Sequence, residues 1–154
     1  MAFNEIAKRV NKNVYRDGAY CLKAFAANYV TSDILNEALN QARVHETGLF
    51  VPKVHEVKRL DDGRLAIVMD YIDGKSLAQL IDEDPSAKNK YIERLIDIQI
   101  SMHTIHADNL IKQHDKFSRK IEHSGLDATT RYELHARLDA MRRHNNLCHG
   151  DFNP

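Results

Sequence analysis

The chain has 154 residues, 43% of them hydrophobic and 29% charged, and its 22 Lys and Arg residues balance 22 Asp and Glu residues. This composition excludes a disordered chain, and the balanced charge gives no global field that would draw the chain to nucleic acid or to an anionic membrane. The sequence has neither an apolar run of membrane-spanning length nor a signal-peptide pattern, and two cysteines are too few for a disulfide framework, so we expect a cytoplasmic protein with reduced thiols.

The N-terminal part is predicted to form β-strands over residues 3–25. Runs of β-prone residues at 13–16 and 19–25 are separated by Asp17-Gly18, and both of these residues tolerate the positive φ of a tight hairpin turn. A helix is predicted next, because apolar residues recur at helical spacing from Leu35 until Gly48 ends the run, with residues 31–33 as candidate N-caps.

A second hairpin is predicted from residues 54–60 and 65–71, around a turn at 61–64. Its return strand is continuously apolar from Leu65 to Met69, which indicates burial on both faces of a sheet. The pattern stops at Asp73-Gly74-Lys75, and nothing after it has the character of a strand. We therefore place a boundary between two lobes at this point.

Helices are predicted after the boundary. Apolar residues step by four and three over residues 91–105, and a further helix around 134–141 has Asp127 as its candidate N-cap. His103 and His106 lie one helical turn apart, but no cysteine or third histidine with ligand spacing accompanies them. We therefore assign no metal site within the chain.

The most informative segment is the last one, with the sequence Cys148-His149-Gly150-Asp151-Phe152-Asn153-Pro154. Its His-x-Asp resembles the front half of a kinase catalytic loop, in which an Asn five residues after the Asp binds a metal ion. The variant His-Gly-Asp-Phe-Asn-Pro resembles the aminoglycoside phosphotransferase and choline kinase-like family, whose members are small-molecule kinases with the two-lobed fold of protein kinases. A complete enzyme of this kind needs roughly twice this length.

The resemblance assigns roles to residues near the N-terminus. Strand alternation places Cys21, Lys23 and Phe25 on one face, and by resemblance Lys23 holds the α- and β-phosphates while Cys21 lines the adenine pocket. Glu37, fourteen residues later on the predicted helix, would hold Lys23 extended, and Glu46 near the helix end is its rival. The alternative is that these are ordinary exposed charges, as most Lys and Glu residues are.

The end of the apolar strand resembles a kinase hinge. By that resemblance Met69 guards the back of the nucleotide pocket, and the backbones of Asp70 and Ile72 contact the edge of the base. The alternative is a buried strand that simply ends in a turn.

The loop over the phosphates should lie within residues 8–13, where no glycine is present. Arg9 and Lys12 are candidates to supply charge there instead, although two basic residues in a turn are more often only solvated. At the other end of the chain, the resemblance makes Asp151 the catalytic residue that accepts the proton of a substrate hydroxyl, with His149 bracing the loop.

We therefore predict an α+β fold: a protein-kinase-like N-lobe with hinge, made of an antiparallel sheet plus one helix, over residues 1–73, and a partial, mostly helical C-lobe ending in the catalytic loop over residues 74–154. The predicted function is transfer of phosphate from ATP, or GTP, to a hydroxyl of an unidentified small molecule. The complete enzyme would use Mg²⁺, and its metal ligands are expected beyond the end of this sequence, so we expect this truncated chain to lack turnover. The alternative is a noncatalytic kinase-like module that binds a partner, or itself, through exposed helical faces.

Overall fold

The computed structural model describes residues 4–153, so Phe3, where the strands are predicted to begin, and Pro154 lie outside the described residues. A five-stranded sheet is followed by helices, which is the predicted α+β class. The strands are β1 (Asn4–Arg9), β2 (Lys12–Asp17), β3 (Tyr20–Phe25), β4 (Val54–Arg59) and β5 (Leu65–Asp70). The helices are α1 (Thr31–Glu46), α2 (Leu77–Glu83), α3 (Lys88–His103), α4 (Gln113–Glu122) and α5 (Ala128–Ala140), with a short 3₁₀ turn at Pro85–Ala87.

All neighbouring strands of the sheet are antiparallel, in the order β1-β2-β3-β5-β4. The two predicted hairpins are confirmed, but the first turn lies one residue later than expected. Asp17 pairs with Tyr20, so the turn residues are Gly18 and Ala19, and only Gly18 needs a positive φ, of 59°. A glycine at the first central position is the usual requirement of a type II′ hairpin turn.

The core lies on both faces of the central strands. Ala66, Ile67, Val68 and Met69 of β5 are all buried, as the continuous apolar run predicts. On the inner face, defined here as the face toward α1, Phe25, Ile34, Ala38, Ile67 and Met69 form one buried cluster. On the opposite, outer face, a second cluster contains Leu22, Ala24, Ala66 and Val68.

Helix α1 ends as predicted but begins differently. Gly48 has a φ of 84° and its amide donates to the carbonyl of His45, which closes the helix C-terminus. The prediction of a side-chain N-cap at residues 31–33 is wrong. The N-cap is Val30, which has no capping side chain, because the helix already includes Thr31 as its first residue.

Helices α2 and α4 were not predicted. Helix α2 has a capping box, in which Ser76 accepts from the Gln79 amide and the Gln79 side chain accepts from the Ser76 amide. The predicted cap of α5 is confirmed, since the Asp127 carboxylate accepts from the Thr130 amide at 3.0 Å.

The chain divides into two compact units, one extending to Ile98 and including Asn153, and the other comprising Gln99–Phe152. The lobe boundary at residue 73 stays a prediction. No helix among residues 4–153 is long and apolar enough to cross a membrane.

Candidate functional site

Two lysines share the carboxylate of Glu37 in the first unit. Lys23 of β3 donates to Oε1 of Glu37, and Nζ of Lys12, from the start of β2, lies 3.0 Å from Oε2. The three side chains are only 25–30% exposed. Strand alternation brings Lys23 to the inner face, where α1 presents Glu37, so the predicted Lys23–Glu37 contact forms. Glu46 lies at the exposed end of the same helix.

Within the cluster of Lys12, Lys23 and Glu37, the pKa shifts of Glu37 and Lys12 both favour the charged form. Burial alone would raise the pKa of Glu37, but hydrogen bonds from Lys23 and Lys12 outweigh it and lower the pKa below 4.5. Burial alone would lower the pKa of Lys12, but its hydrogen bond to Glu37 outweighs that effect and raises the pKa above 10.5. Two ammonium groups facing one carboxylate leave the cluster with one net positive charge. It is therefore suited to an anion.

Aromatic rings border the same cluster. Nζ of Lys12 lies 5.1 Å from the centre of the Phe25 ring and 5.6 Å from that of Tyr29. These distances allow cation–π attraction, which holds a lysine without neutralising it.

The two basic candidates of the predicted phosphate loop, Arg9 and Lys12, separate in the structure. Arg9 pairs with Lys12 across the β1–β2 hairpin, and only Val10 and Asn11 form the turn. Arg9 is exposed, whereas Lys12 is half-buried against Glu37. The turn has no glycine and no positive φ. It therefore lacks the nest of backbone amides with which glycine-rich loops surround phosphates.

The end of β5 combines a buried side chain with a free backbone amide. Met69 is 8% exposed on the inner face, and Nε2 of Gln41 lies 3.4 Å from its sulfur. Cys21, its partner across the strands, packs against the same cluster. Burial raises the pKa of the Cys21 thiol against the opposing effect of Lys23. Among the described residues, the amide of Ile72 has no hydrogen-bond partner.

A depression of about 380 Å³ lies on the other side of the sheet. Leu22 and Val68 contribute to its lining, together with Asp17, Tyr20, His55, Glu56 and Lys58. Leu22 and Val68 belong to the outer-face cluster, whereas Cys21, Lys23 and Met69 face inward. This depression is therefore separate from the predicted site.

The second unit holds the His149-Gly150-Asp151 segment. Leu147 is buried, and its amide donates to the carbonyl of Ile105 at 2.8 Å, which anchors the approach to the loop. Gly150 then turns with a φ of 83°, and the amide of Asp151 donates to Nδ1 of His149 at 3.2 Å. His149 thus contacts the backbone of the residue for which a catalytic role is predicted. Asp151 itself is exposed.

The described residues contain no cluster of three metal-binding side chains. Within residues 4–153, no three His, Cys, Asp or Glu side chains are grouped closely enough to hold an ion.

Sequence reasoning missed a group of residues around the end of β5. His55 contacts Asp70 on the outer face, and Arg16, which pairs with the inward-facing Cys21, lies over the ring of Tyr71. The contact of His55 depends on an irregularity in the register of β4. No residue pattern in the sequence signals that irregularity.

The sheet order with one helix against its inner face, followed by helices, defines a kinase-like N-lobe and a partial helical C-lobe. A thermostable mutant of aminoglycoside phosphotransferase APH(4)-Ia in its apo form has a similar fold, with a TM-score of 0.51 and 11% identity over 90% of this chain and 54% of that one. This chain thus spans about half the length of that neighbour. A search of the curated proteins finds no match.

The family is shown by the sequence itself. The model of the phosphotransferase enzyme family APH matches residues 5–154. The chain belongs to this family, as the resemblance in the catalytic loop and the hinge predicts.

Proposed function

We propose that this chain carries the nucleotide site of an ATP-dependent phosphotransferase that acts on a hydroxyl of a small molecule. One observation carries the proposal. Lys23 on an inner strand face contacts Glu37 on the adjoining helix, in a chain of the phosphotransferase family. An extended, charged lysine at this position is what the α- and β-phosphates require.

In this proposal the base lies against the inner face of β3 and β5. Cys21 and Met69 line the adenine pocket, and the backbones of Asp70 and Ile72 meet the edge of the base. The unpartnered amide of Ile72 supports this role, because a purine ring nitrogen is an acceptor that would satisfy it.

The phosphates are proposed to bind positively charged side chains instead of the backbone amides of a glycine-rich loop. The net positive charge of the cluster of Lys12, Lys23 and Glu37 favours a polyphosphate. Lys12 is proposed to share the role of Lys23, because both lysines contact the same carboxylate. Arg9, exposed at the end of β1, is proposed as a weaker contact from the hairpin.

Asp151 is proposed to orient the acceptor hydroxyl and to take its proton as phosphate is transferred. The hydrogen bond from the Asp151 amide to His149 supports a bracing role for His149, because it fixes the backbone on which the carboxylate is carried. Mg²⁺ would neutralise phosphate charge in the complete enzyme.

Binding of Mg-ATP measured by calorimetry tests the proposal. We expect Lys23→Ala to weaken affinity about tenfold or more, because a charge-assisted contact is lost. Glu37→Gln should weaken it as well, whereas Glu46→Gln on the same helix is the matched control and should leave it unchanged. Binding that is insensitive to Lys23, or no binding by the unmodified chain, would refute a nucleotide site here.

A second candidate function is a noncatalytic module that associates with itself. Exposed apolar side chains favour it: within the second unit, Tyr132 is 76% and Met141 63% exposed. Sedimentation across a range of concentrations distinguishes the two functions, because only this one requires a concentration-dependent increase in mass.

Three further points stay proposals: the lobe boundary at residue 73, a cytoplasmic location, and the absence of nucleic acid among the partners. Equal numbers of acidic and basic residues support the last of these.

A further inference from the structure

A β-bulge on the outer face redirects His55. The register of β4 against β5 shifts between Val54 and Glu56, so that Val54 pairs with Met69 and Glu56 pairs with Val68. In a regular strand consecutive side chains alternate between faces. Here His55 and Glu56 both line the outer depression, next to Tyr20, whose ring meets the His55 ring edge to face at 5.2 Å. Bulges commonly serve to aim one side chain.

The target of His55 is the carboxylate of Asp70, the last residue of β5. Nε2 of His55 lies 2.7 Å from Oδ1, and the amide of Lys53 donates to Oδ2 at 3.1 Å. The Asp70 amide in turn donates to the carbonyl of Lys53 at 3.0 Å. Asp70 is thus bound to the start of β4 through both its side chain and its backbone, and the hydrogen bond from His55 is the leading cause of the lowered pKa of Asp70.

The residues after Asp70 are held by the β2–β3 hairpin. The amide of Tyr71 donates to the carbonyl of Ala19 at 2.8 Å, and the guanidinium of Arg16 lies 3.9 Å from the centre of the Tyr71 ring. Arg16 also lies 3.8 Å from the carboxylate of Asp73. These contacts hold Tyr71 and Asp73 against the β2–β3 hairpin.

We propose that His55 is a positioning residue for the base of the bound nucleotide. By donating to Asp70 it holds residues 70–72 in the conformation in which the Ile72 amide meets the base. This inference rests on the proposed function. A segment held before binding loses less conformational entropy when the ligand arrives, so removing the donor should weaken base recognition and leave phosphate recognition unchanged.

Two variants distinguish the role of the His55 hydrogen-bond donor from that of its ring. His55→Gln keeps a donor near the position of Nε2, whereas His55→Phe keeps the ring beside Tyr20 and removes the donor. Glu56→Gln, in the same bulge but without contact to Asp70, is the matched control. Affinities for adenosine, Mg-ATP and tripolyphosphate are measured for each variant and for Lys23→Ala.

We expect His55→Phe to lower the affinity for adenosine and for Mg-ATP about three- to tenfold, the scale of one hydrogen bond, and to leave the affinity for tripolyphosphate unchanged. The affinities of His55→Gln should stay close to those of the unmodified chain. Lys23→Ala should show the opposite pattern, with a lower affinity for tripolyphosphate and an unchanged affinity for adenosine. Without ligand, hydrogen exchange at the amide of Tyr71, which donates to the carbonyl of Ala19, should accelerate in His55→Phe alone.

Unchanged adenosine affinity in His55→Phe, while Mg-ATP binding still depends on Lys23, would overturn the role of His55 and leave the proposed function standing. If His55→Phe lowered the affinities for adenosine and tripolyphosphate equally, the role of His55 would also be overturned, because general destabilisation of the fold gives that pattern. Failure of the unmodified chain to bind any of the three would overturn the proposed function together with this inference.

Discussion

Replacing Glu37 by Gln should destabilise the first unit by a measurable amount. The substitution leaves the ammonium groups of Lys12 and Lys23 side by side, without the carboxylate that both contact. Exposed ion pairs contribute about 0.2–1 kcal/mol and breaking a buried pair costs about 3–5 kcal/mol, so for side chains 25–30% exposed we expect a loss of about 2 kcal/mol in the free energy of unfolding.

The dependence on pH follows from the lowered pKa of Glu37. A carboxylate whose pKa is lower in the folded state than in the unfolded state stabilises the fold at pH values above its ordinary pKa of 4.5. This contribution is lost as the pH falls through the pKa of the folded state. The difference in stability between the unmodified chain and Glu37→Gln should therefore be constant from about pH 6 to 8 and shrink below about pH 4.5. Lys12, whose pKa is raised, should lose its contribution only as pH rises beyond 10.5.

Urea denaturation followed by circular dichroism measures both effects. Glu46→Gln, at the exposed end of the same helix, controls for the loss of one helical carboxylate. Adding Lys12→Met to Glu37→Gln should restore part of the stability, because it removes the repulsion between the two lysines. A Glu37→Gln variant within about 0.5 kcal/mol of the unmodified chain, with the same pH profile, would refute the reasoning, since changes at uninvolved surface sites fall in that range.

Three further predictions concern other parts of the chain. Asp127→Ala removes the acceptor of the Thr130 amide and should destabilise α5 by about 1 kcal/mol, measured by hydrogen exchange in that helix; unchanged exchange would contradict it. Cys21 should react with iodoacetamide more slowly than the exposed Cys148, because burial raises the pKa of its thiol, and Mg-ATP should protect Cys21 alone; equal protection of both would count against the pocket. Asp151→Asn should leave affinity for Mg-ATP within about twofold, a change of about 0.4 kcal/mol, because its proposed partner is the acceptor hydroxyl; calorimetry showing a larger loss would assign it to the nucleotide.

Local patterns in the sequence were sufficient to predict much of the fold. The Asp17-Gly18 dipeptide gave the first hairpin, and the unbroken apolar run of β5 gave a strand buried on both faces. The contact of Lys23 with Glu37 was also predictable, because strand alternation and helix position each fix the direction of one side chain.

Features that depend on tertiary packing were not predictable. The sequence places Lys12 in a turn near Arg9, whereas its side chain folds back to Glu37, because a half-buried carboxylate can accept from two lysines. The bulge that directs His55 to Asp70 has no glycine or other marker in the sequence. Helix α2 is different, since its capping residues Ser76 and Gln79 are readable in the sequence and were overlooked.

Chemical shifts of methyl groups on the two faces of the sheet test the central claim most directly. Met69 lies on the inner face and Ile72 follows the end of β5 in the segment proposed to meet the base, whereas Leu22 and Val68 line the outer depression. Titration with Mg-ATP should shift the signals of Met69 and Ile72 in the unmodified chain and not in Lys23→Ala, with Leu22 and Val68 little changed. Shifts confined to Leu22 and Val68, or no shift at any of the four, would contradict a nucleotide site between β3, β5 and α1.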